Sequence, residues 1–340
     1  MDYKLSVIFI TYNHEKYVEK ALMSVLNQET NFPFEVVIGE DCSTDSTKQI
    51  LEKIASNYPV HEATGPDDRQ VRFIPRSKNT GRPTLNVYET TMSCSGEYLA
   101  YLEGDDYWTD NHKLQKQVDF LEENHEYIAV THGCKMIDEN GDFITDPDVL
   151  SIAGMYDWSG KFTYNDFCYS TKWAGHYASV VSRNIYKNNV NNYDYTIIYK
   201  AHDFVDDAVI LLFLFMQGDI YRLNEDMSVW RYVRKATGTN WNSLSLNRDT
   251  ARDDCYLSKV LMQWVEKTKG LTDYGVQRSK ENFGLALRMY LTKPNKANKQ
   301  FLKDMYDYGI THVVLKDKKS TLFGYCVKTI ITKIINIGLV

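Results

Sequence analysis

The chain has 340 residues, 43% hydrophobic and 25% charged, with a net charge of −6. This composition is globular and excludes fibrous and disordered classes, and its mild acidity argues against nucleic-acid binding, which needs a basic face. The length allows one large domain or two ordinary ones.

Tyrosine is abundant, with 25 copies. An excess of this type suits surfaces that hold polar ligands against flat apolar faces. The opening MDYKLSVIFI lacks the pattern of a signal peptide. No stretch reaches the roughly 18 apolar residues of a membrane span, and the richest, Ala208 to Met216, is too short. Cys42, Cys94, Cys134, Cys168, Cys255 and Cys326 are scattered, with no C-x-x-C pair, so neither a zinc site nor a disulfide framework is expected. The expected setting is the reducing cytoplasm.

In chain order, Leu5 to Ile10 reads as a β-branched strand. Tyr17, Val18, Ala21, Leu22, Val25 and Leu26 then recur at helical spacing, with Asn13 as the expected N-cap. Phe34 to Ile38 is a second strand, followed by a helix carrying Ile50, Leu51 and Ile54. Ser43 and Asp45 are read as its capping residues. Val71 to Ile74 is a third strand, Leu85 to Met92 a helix, and Tyr98 to Leu102 a fourth strand. A helix is expected from Asn111 to Asn124, then a strand at Val130 to His132. Residues 138–172 read as loop. Asp203 to Gly218 reads as an apolar helix, Ile220 to Leu223 as a strand, and the pattern from Asn247 onward is helical. In residues 322–340, Val327, Ile330, Ile331 and Ile334 form one apolar stripe. That segment reads either as a helix docked on protein or a partner copy, or as a membrane-surface helix.

Alternating strands and helices with continuously apolar strands imply a mostly parallel sheet covered on both faces. Such sheets bind ligands beyond the carboxyl ends of their strands. Three polar clusters sit at those ends: Thr11-Tyr12-Asn13, Glu40-Asp41 and Glu103-Gly104-Asp105-Asp106. Like charges packed so closely need a cation, solvent or a proton to relieve them. Oxygen ligands suit Mg²⁺ or Mn²⁺, and Mg²⁺ combines one or two carboxylates with substrate phosphates. Glu103, Asp105 and Asp106 are therefore candidate ligands of a metal that bridges a diphosphate. Glu40 and Asp41 suit hydrogen bonds to a base or ribose, or equally the charge preference of a helix N-terminus.

Taken together, Ser6 to Asn13, Ser24-Val25-Leu26-Asn27-Gln28, Glu40-Asp41-Cys42-Ser43-Thr44-Asp45, Asn79-Thr80-Gly81 and Gly96 to Trp108 resemble the family 2 glycosyltransferases of GT-A fold. The likeness is good over about 4–125 and weaker to about 235. It implies a Rossmann-like, nucleotide-diphospho-sugar transferase domain over 1–240 and a helical region over 241–340. Thr11, Tyr12, Asn13, Glu40, Asp41, Asn79, Glu103, Gly104, Asp105 and Arg231 would then line the nucleotide-sugar site. Asp105, Asp106 and Glu103 would hold Mn²⁺ or Mg²⁺, although the first position is Glu where Asp is common.

Similar enzymes carry their catalytic base as an Asp opening an apolar helix about 11 residues before a Gly and a strand. Counting back from Gly218 gives Asp207, with Asp206 next and Asp203 one turn earlier. Relatives often place a His two residues beyond the Arg that corresponds to Arg231; here that residue is Val233. Arg234 and Lys235 are further candidates for diphosphate contacts. His176 and His202 read as ordinary pocket or surface residues. Trp108, Trp158, Trp173, Trp230 and Trp241 read as core, or else as sugar-stacking faces.

The implied activity is inverting transfer of a sugar, with a UDP-sugar favoured, to a hydroxyl of a glycan or lipid-linked acceptor in surface-polysaccharide synthesis. Peripheral membrane contact through 322–340 and self-association are compatible with it. A sugar nucleotidyltransferase would instead favour a Gly-rich basic loop near the N-terminus, which is not seen. A non-catalytic glycan- or partner-binding protein on the same fold is the other alternative.

Overall fold

The computed structural model describes residues 2–152, 159–169, 174–187, 189–235, 241–247, 249–270 and 273–309. It falls into two units, Met1–Asn247 and Arg248–Val340. The expected amphipathic helix over 322–340 lies outside the described residues.

The first unit runs β1 (Leu5–Thr11), α1 (Val18–Leu26), β2 (Phe34–Glu40), α2 (Thr47–Ala55), β3 (Arg69–Phe73), α3 (Pro83–Met92), β4 (Tyr98–Glu103), β5 (Tyr107–Trp108), α4 (Lys113–Glu123) and β6 (Tyr127–Ile137). It continues through α5 (Pro147–Ile152), β7 (Gly160–Phe162), α6 (Tyr164–Tyr169), a 3-10 turn (Tyr177–Ser179), β8 (Val181–Arg183), α7 (Ile197–Lys200), α8 (Asp207–Phe215), β9 (Asp219–Arg231) and α9 (Trp241–Leu244). The second unit holds α10 (Thr250–Lys269), α11 (Asp273–Thr292) and α12 (Lys296–Gly309).

The strands form one sheet in the order β3-β2-β1-β4-β8-β6-β9-β5, with β7 also on β9. The β3-β2-β1-β4 portion is wholly parallel. β8 enters antiparallel between β4 and β6, while β6 and β9 run parallel to each other. Every residue of β1 and β2 is buried, because helices cover both faces. Leu5, Val7 and Phe9 pack with Val18, Ala21, Leu22 and Val25 of α1 and with Leu114, Val118 and Leu121 of α4. Each fully buried Val, Leu or Phe contributes about 1.5–3 kcal/mol. On the other face, Asn86 of α3 donates to the Gly39 carbonyl at 2.7 Å. A side chain at Gly39 would collide with Asn86 and Thr90.

Three local readings differ from the sequence pattern. Asn13 is not the N-cap of α1: its φ is 57°, the helix begins at Val18, and the Asn13 side chain accepts from the Thr44 amide instead. Ser43 does not cap α2 but accepts the Asn13 amide at 2.9 Å, whereas Asp45 does accept the Thr47 amide. Within 138–172, short elements form where a loop was expected, and β7 adds to the sheet edge. Strands of two or three residues, like β5, β7 and β8, are too short to show a periodicity.

α8 is apolar all round, and every residue from Val209 to Phe215 is buried, as a helix without a polar face requires. Among the described residues, no helix is long and apolar enough to cross a membrane. In the second unit, Cys255, Ala286, Phe301 and Met305 form the core, and Asp249 caps α10 through the Arg252 amide.

Beneath the amino ends of the parallel strands lies a charged knot. Glu35, with 1% side-chain exposure, meets Arg72 at 2.8 Å. It also accepts from Ser6 Oγ at 2.6 Å and from the Ser95 amide at 2.9 Å. Burial pushes its carboxyl up, but Arg72, Ser6 and Ser95 outweigh this and hold it below the ordinary value. Its contribution to stability is therefore present above the unfolded carboxyl value, and is lost as pH falls through the lower folded value. Glu35→Gln should cost about 3 kcal/mol at pH 7 in urea unfolding, and the deficit should shrink as the pH drops below 4.

Candidate active site

The register brings the polar strand ends side by side. Thr11 pairs with Glu40 on one flank of β1, and Ile10 with Glu103 on the other. The chain leaving β1 is then locked to the chain leaving β2 by reciprocal bonds. The Asn13 amide donates to Ser43 Oγ and the Thr44 amide to Asn13 Oδ1. The His14 amide donates to Thr47 Oγ1, and the Ser46 amide to Glu15 at 3.0 Å. Gly104 must be small: a Cβ there would lie 2.8 Å from Thr11 Cβ and 3.0 Å from His14 Nδ1. Thr11 Oγ1 and His14 Nδ1 are buried without a hydrogen-bond partner. Tyr12 is half-buried beside them in sequence.

Glu40 and Asp41 are both buried, and both are engaged. Glu40 accepts the amides of Cys42 and Ser43 at 3.2 and 2.6 Å, closing its own turn. Asp41 accepts Thr80 Oγ1 at 2.7 Å and the Thr80 amide at 3.0 Å, with Arg76 Nε at 3.5 Å. Asn79 donates to the Asp41 carbonyl and accepts the Gly81 amide, where φ is +66°. These side chains thus build the wall between β2 and α3. Contact with a base or ribose would have to be shared with those bonds.

The carboxylate cluster is different, because it is left in need of a partner. Asp106 is 1% exposed. Its Oδ1 accepts the Arg231 amide at 2.8 Å, while Oδ2 has no hydrogen-bond partner. Burial, then the charges of Asp105 and Glu103, push Asp106 well above the ordinary carboxyl range, and the Arg231 amide only partly opposes them. Glu103 keeps access to solvent. It too is pushed well up, by the protein packed around it and then by Asp105, Asp206 and Asp207. Asp105 lies between, 3.9 Å from His14 Nε2.

His176, which sequence reasoning treated as ordinary, belongs to this cluster. Its Nδ1 lies 3.9 Å from Asp106 Oδ2, and ligand atoms of Glu103, Asp106 and His176 fall within 4.8 Å of one another. Its ring stacks on Trp230 with centroids 4.6 Å apart. Burial pushes its pKa down to about 3, which leaves the neutral imidazole. No spacing could have disclosed it, since β5, α4, β6 and more intervene between His176 and Asp106. The chemistry of this set fits a divalent cation: one orphaned buried carboxylate oxygen, further carboxylates and a neutral imidazole.

Asp206 and Asp207 open α8, and their charges reach Glu103. Burial, and then Asp207, raise Asp206 to about 7. Asp207 is raised by burial and eased by the Ala208 amide. Asp203 stands apart. It is exposed and paired with Arg82 at 2.7 Å, and its carbonyl accepts from the Thr84 amide.

Arg231 is turned to structural use: Nε donates to the Asp105 carbonyl, Nη1 to the Asp138 carbonyl, and the guanidinium lies over Tyr17 at 4.1 Å. Lys235 pairs with Glu139 at 2.7 Å. His202 accepts the Phe204 and Val205 amides. Trp108 is core, donating to the Ala178 carbonyl. Trp158 and Trp173 lie outside the described residues, and nothing is described of the Trp241 side chain. Several of the many tyrosines are core residues. Tyr101 packs at a tilt against Tyr177, and Tyr186 edge-on against Tyr195, all four buried.

A carboxyl whose folded pKa is raised contributes stability only while protonated, below its unfolded value, and loses it as the pH rises. Burial of Asp106 beside Asp105 and Glu103 therefore costs the metal-free chain stability once the pH rises above the ordinary carboxyl value. Asp106→Asn should raise its stability at pH 7, seen as a higher Tm without added metal, and the gain should vanish near pH 3.

Comparisons with known proteins agree with this geometry. The profile of Glycosyl transferase family 2 matches residues 6–201, more than half of the chain. An uncharacterised Mycobacterium tuberculosis protein is 39% identical over 137 residues, which are 40% of this chain and 37% of that protein. The Staphylococcus aureus poly(ribitol-phosphate) beta-N-acetylglucosaminyltransferase TarS is 32% identical over 130 residues, 37% of this chain and 20% of TarS. The matched stretch thus spans well under half the length of either relative. The crystal structure of residues 1–349 of S. aureus TarS in complex with UDP-GlcNAc superposes with a TM-score of 0.63 at 18% identity, covering 96% of this chain and 89% of that one. At that identity the likeness is one of fold, here a GT-A-like α/β arrangement followed by helices. With the family profile spanning most of the sheet and its strand-end carboxylates, the chain belongs to glycosyltransferase family 2.

Proposed function

We propose that the chain transfers a sugar from a UDP-sugar, with UDP-GlcNAc the first to test, to a hydroxyl of a glycan or lipid-linked acceptor with inversion. The observation that carries this reading is the meeting of two carboxylate groups at one end of the sheet. Glu103, Asp105 and Asp106 lie at the end of β4, and the charges of Asp206 and Asp207 reach Glu103 from α8. The first group suits a cation and a diphosphate; the second suits proton removal. TarS supports the choice of donor, since that protein is a beta-N-acetylglucosaminyltransferase crystallised with UDP-GlcNAc.

In this reading Glu103, Asp105 and Asp106 would hold Mn²⁺ or Mg²⁺, which when bound would offset charge on the departing diphosphate. Asp207 accepts the acceptor hydroxyl's proton as that oxygen bonds to the anomeric carbon. The bond from that carbon to the diphosphate oxygen breaks, and the electron pair leaves with UDP. Attack opposite the leaving group inverts the centre. Asp207 is placed ahead of its neighbour because it is the first helical residue of α8 and its charge is one cause of the raised value at Asp206. Asp203 serves to hold Arg82 instead. The wall of Thr11, Tyr12, Asn13, Glu40, Asp41 and Asn79 would receive the nucleotide, with Gly104 providing room. Work on a cytoplasmic face beside a membrane-borne acceptor is part of the same proposal.

UDP release from UDP-GlcNAc with Mn²⁺, measured with a panel of polyol-phosphate and glycan acceptors, tests it directly. Asp207→Asn should lower kcat by about 10²- to 10⁴-fold with little change in donor binding. Near-normal turnover would remove Asp207 as the base. Because the base acts deprotonated and burial raises Asp207 above the ordinary carboxyl value, kcat/KM should fall on the acid side as Asp207 takes up its proton. An acid limb left unchanged in the residual activity of Asp207→Asn would contradict the assignment.

A further inference from the structure

We infer that His176 supplies a nitrogen ligand to the divalent cation held by Asp106 and Glu103, so that the site is a mixed oxygen–nitrogen site that favours Mn²⁺ over Mg²⁺. The inference rests on the metal-assisted transfer proposed above and names a ligand that reading does not require.

The geometry points this way through three observations. Asp106 Oδ2 is buried and without a hydrogen-bond partner, and the nearest imidazole nitrogen, His176 Nδ1, lies 3.9 Å from it. That spacing is too long for a hydrogen bond, yet both atoms are held in place. Oδ1 of the same carboxylate is pinned by the Arg231 amide at 2.8 Å. The imidazole is pinned by its stack on Trp230. A buried acceptor facing a lone-pair nitrogen across such a gap is a costly arrangement unless something positive joins them.

The backbone around His176 is also built for this position. Its carbonyl accepts the Ser179 amide at 2.8 Å and Ser179 Oγ at 2.6 Å. Gly175 makes the approach feasible, because a Cβ there would lie 2.5 Å from Ser179 Oγ and 2.7 Å from Thr131 Cβ. His176 Nδ1 accepts only a long bond, 3.3 Å, from the Ala178 amide. That donor can be exchanged for a cation at small loss. Glu103, exposed at the third corner, is the member free to adjust.

The donor set then decides the ion. Carboxylate oxygens suit Mg²⁺ and Mn²⁺ alike, whereas imidazole suits transition metals. Mg²⁺ also demands near-ideal octahedral oxygen geometry and gives up water reluctantly. A neutral nitrogen beside two carboxylates therefore shifts preference toward Mn²⁺.

The test uses Mn²⁺ alone on the full chain, read by electron paramagnetic resonance. Bound Mn²⁺ in the unmodified protein should show ¹⁴N modulation from a directly coordinated imidazole. That modulation should disappear in His176→Ala and in His176→Gln, with Mn²⁺ affinity at least about tenfold weaker and the excess of Mg²⁺ needed to displace Mn²⁺ much reduced. Tightly bound Mn²⁺ lacking ¹⁴N modulation in the unmodified chain would overturn this inference and leave the transferase reading standing. So would modulation that survives both substitutions. Failure of the unmodified chain to bind Mn²⁺ at all would overturn both the ligand assignment and the metal-assisted mechanism. The spectrum of the unmodified protein decides the matter even if a variant folds poorly.

Discussion

The carboxyl end of the sheet is organised by a charge conflict. Glu103, Asp105 and Asp106 follow β4 within four residues, and Asp206 and Asp207 add their field from α8. Burial makes each charge more costly and each mutual repulsion stronger. A chain that only had to be stable would place such residues in solvent. This chain instead spends other interactions to keep them in place. The Arg231 amide grips Asp106, and the Arg231 guanidinium ties the Asp105 and Asp138 carbonyls together. The residues that look functional by charge are thus divided. Arg231 positions the acids, and the acids are the groups that would hold the proposed cation.

The same division runs through the wall proposed to receive the nucleotide. Glu40, Asp41 and Asn79 spend their polar atoms on neighbouring backbone and on Thr80. The Asn13–Ser43–Thr44 lock fixes the loop after β1 against the loop after β2. A rigid frame costs a bound ligand less ordering than a mobile one. Parallel strands make the frame workable, because all their carboxyl ends open on one side. The Glu35 knot secures the opposite, amino end, where Ser6, Arg72 and Ser95 come together.

A run such as Glu103-Gly104-Asp105-Asp106 is readable because its members are adjacent and its position after an apolar strand is visible in order. The central parallel strands were legible for the same reason. Each carries a short apolar run bounded by polar residues, and β1 to β4 fall where those runs predict. α8 was legible as an apolar block, though it begins at Asp207 and not at Asp203, since Asp203 turns outward to Arg82. The two- and three-residue strands β5, β7 and β8 were not legible, because pairing partners and not local pattern create them. Asn13 and Ser43 misled for a related reason. Both types cap helices readily, yet here they cap each other's loops.

By itself, then, the sequence determined the order of strands and helices, the carboxylates at the strand ends, and the family those motifs resemble. These are properties of neighbouring residues, and local periodicity and composition carry them. Only the tertiary structure decided which polar groups remain available. It turned Glu40, Asp41 and Arg231 inward to hold loops, gave Asp203 to Arg82, and left Asp106 with one unsatisfied oxygen. It also brought His176 from a distant, loop-rich stretch to face that oxygen. Hydrogen-bond satisfaction and burial are set by contacts far apart in the chain, so a linear pattern carries no record of them.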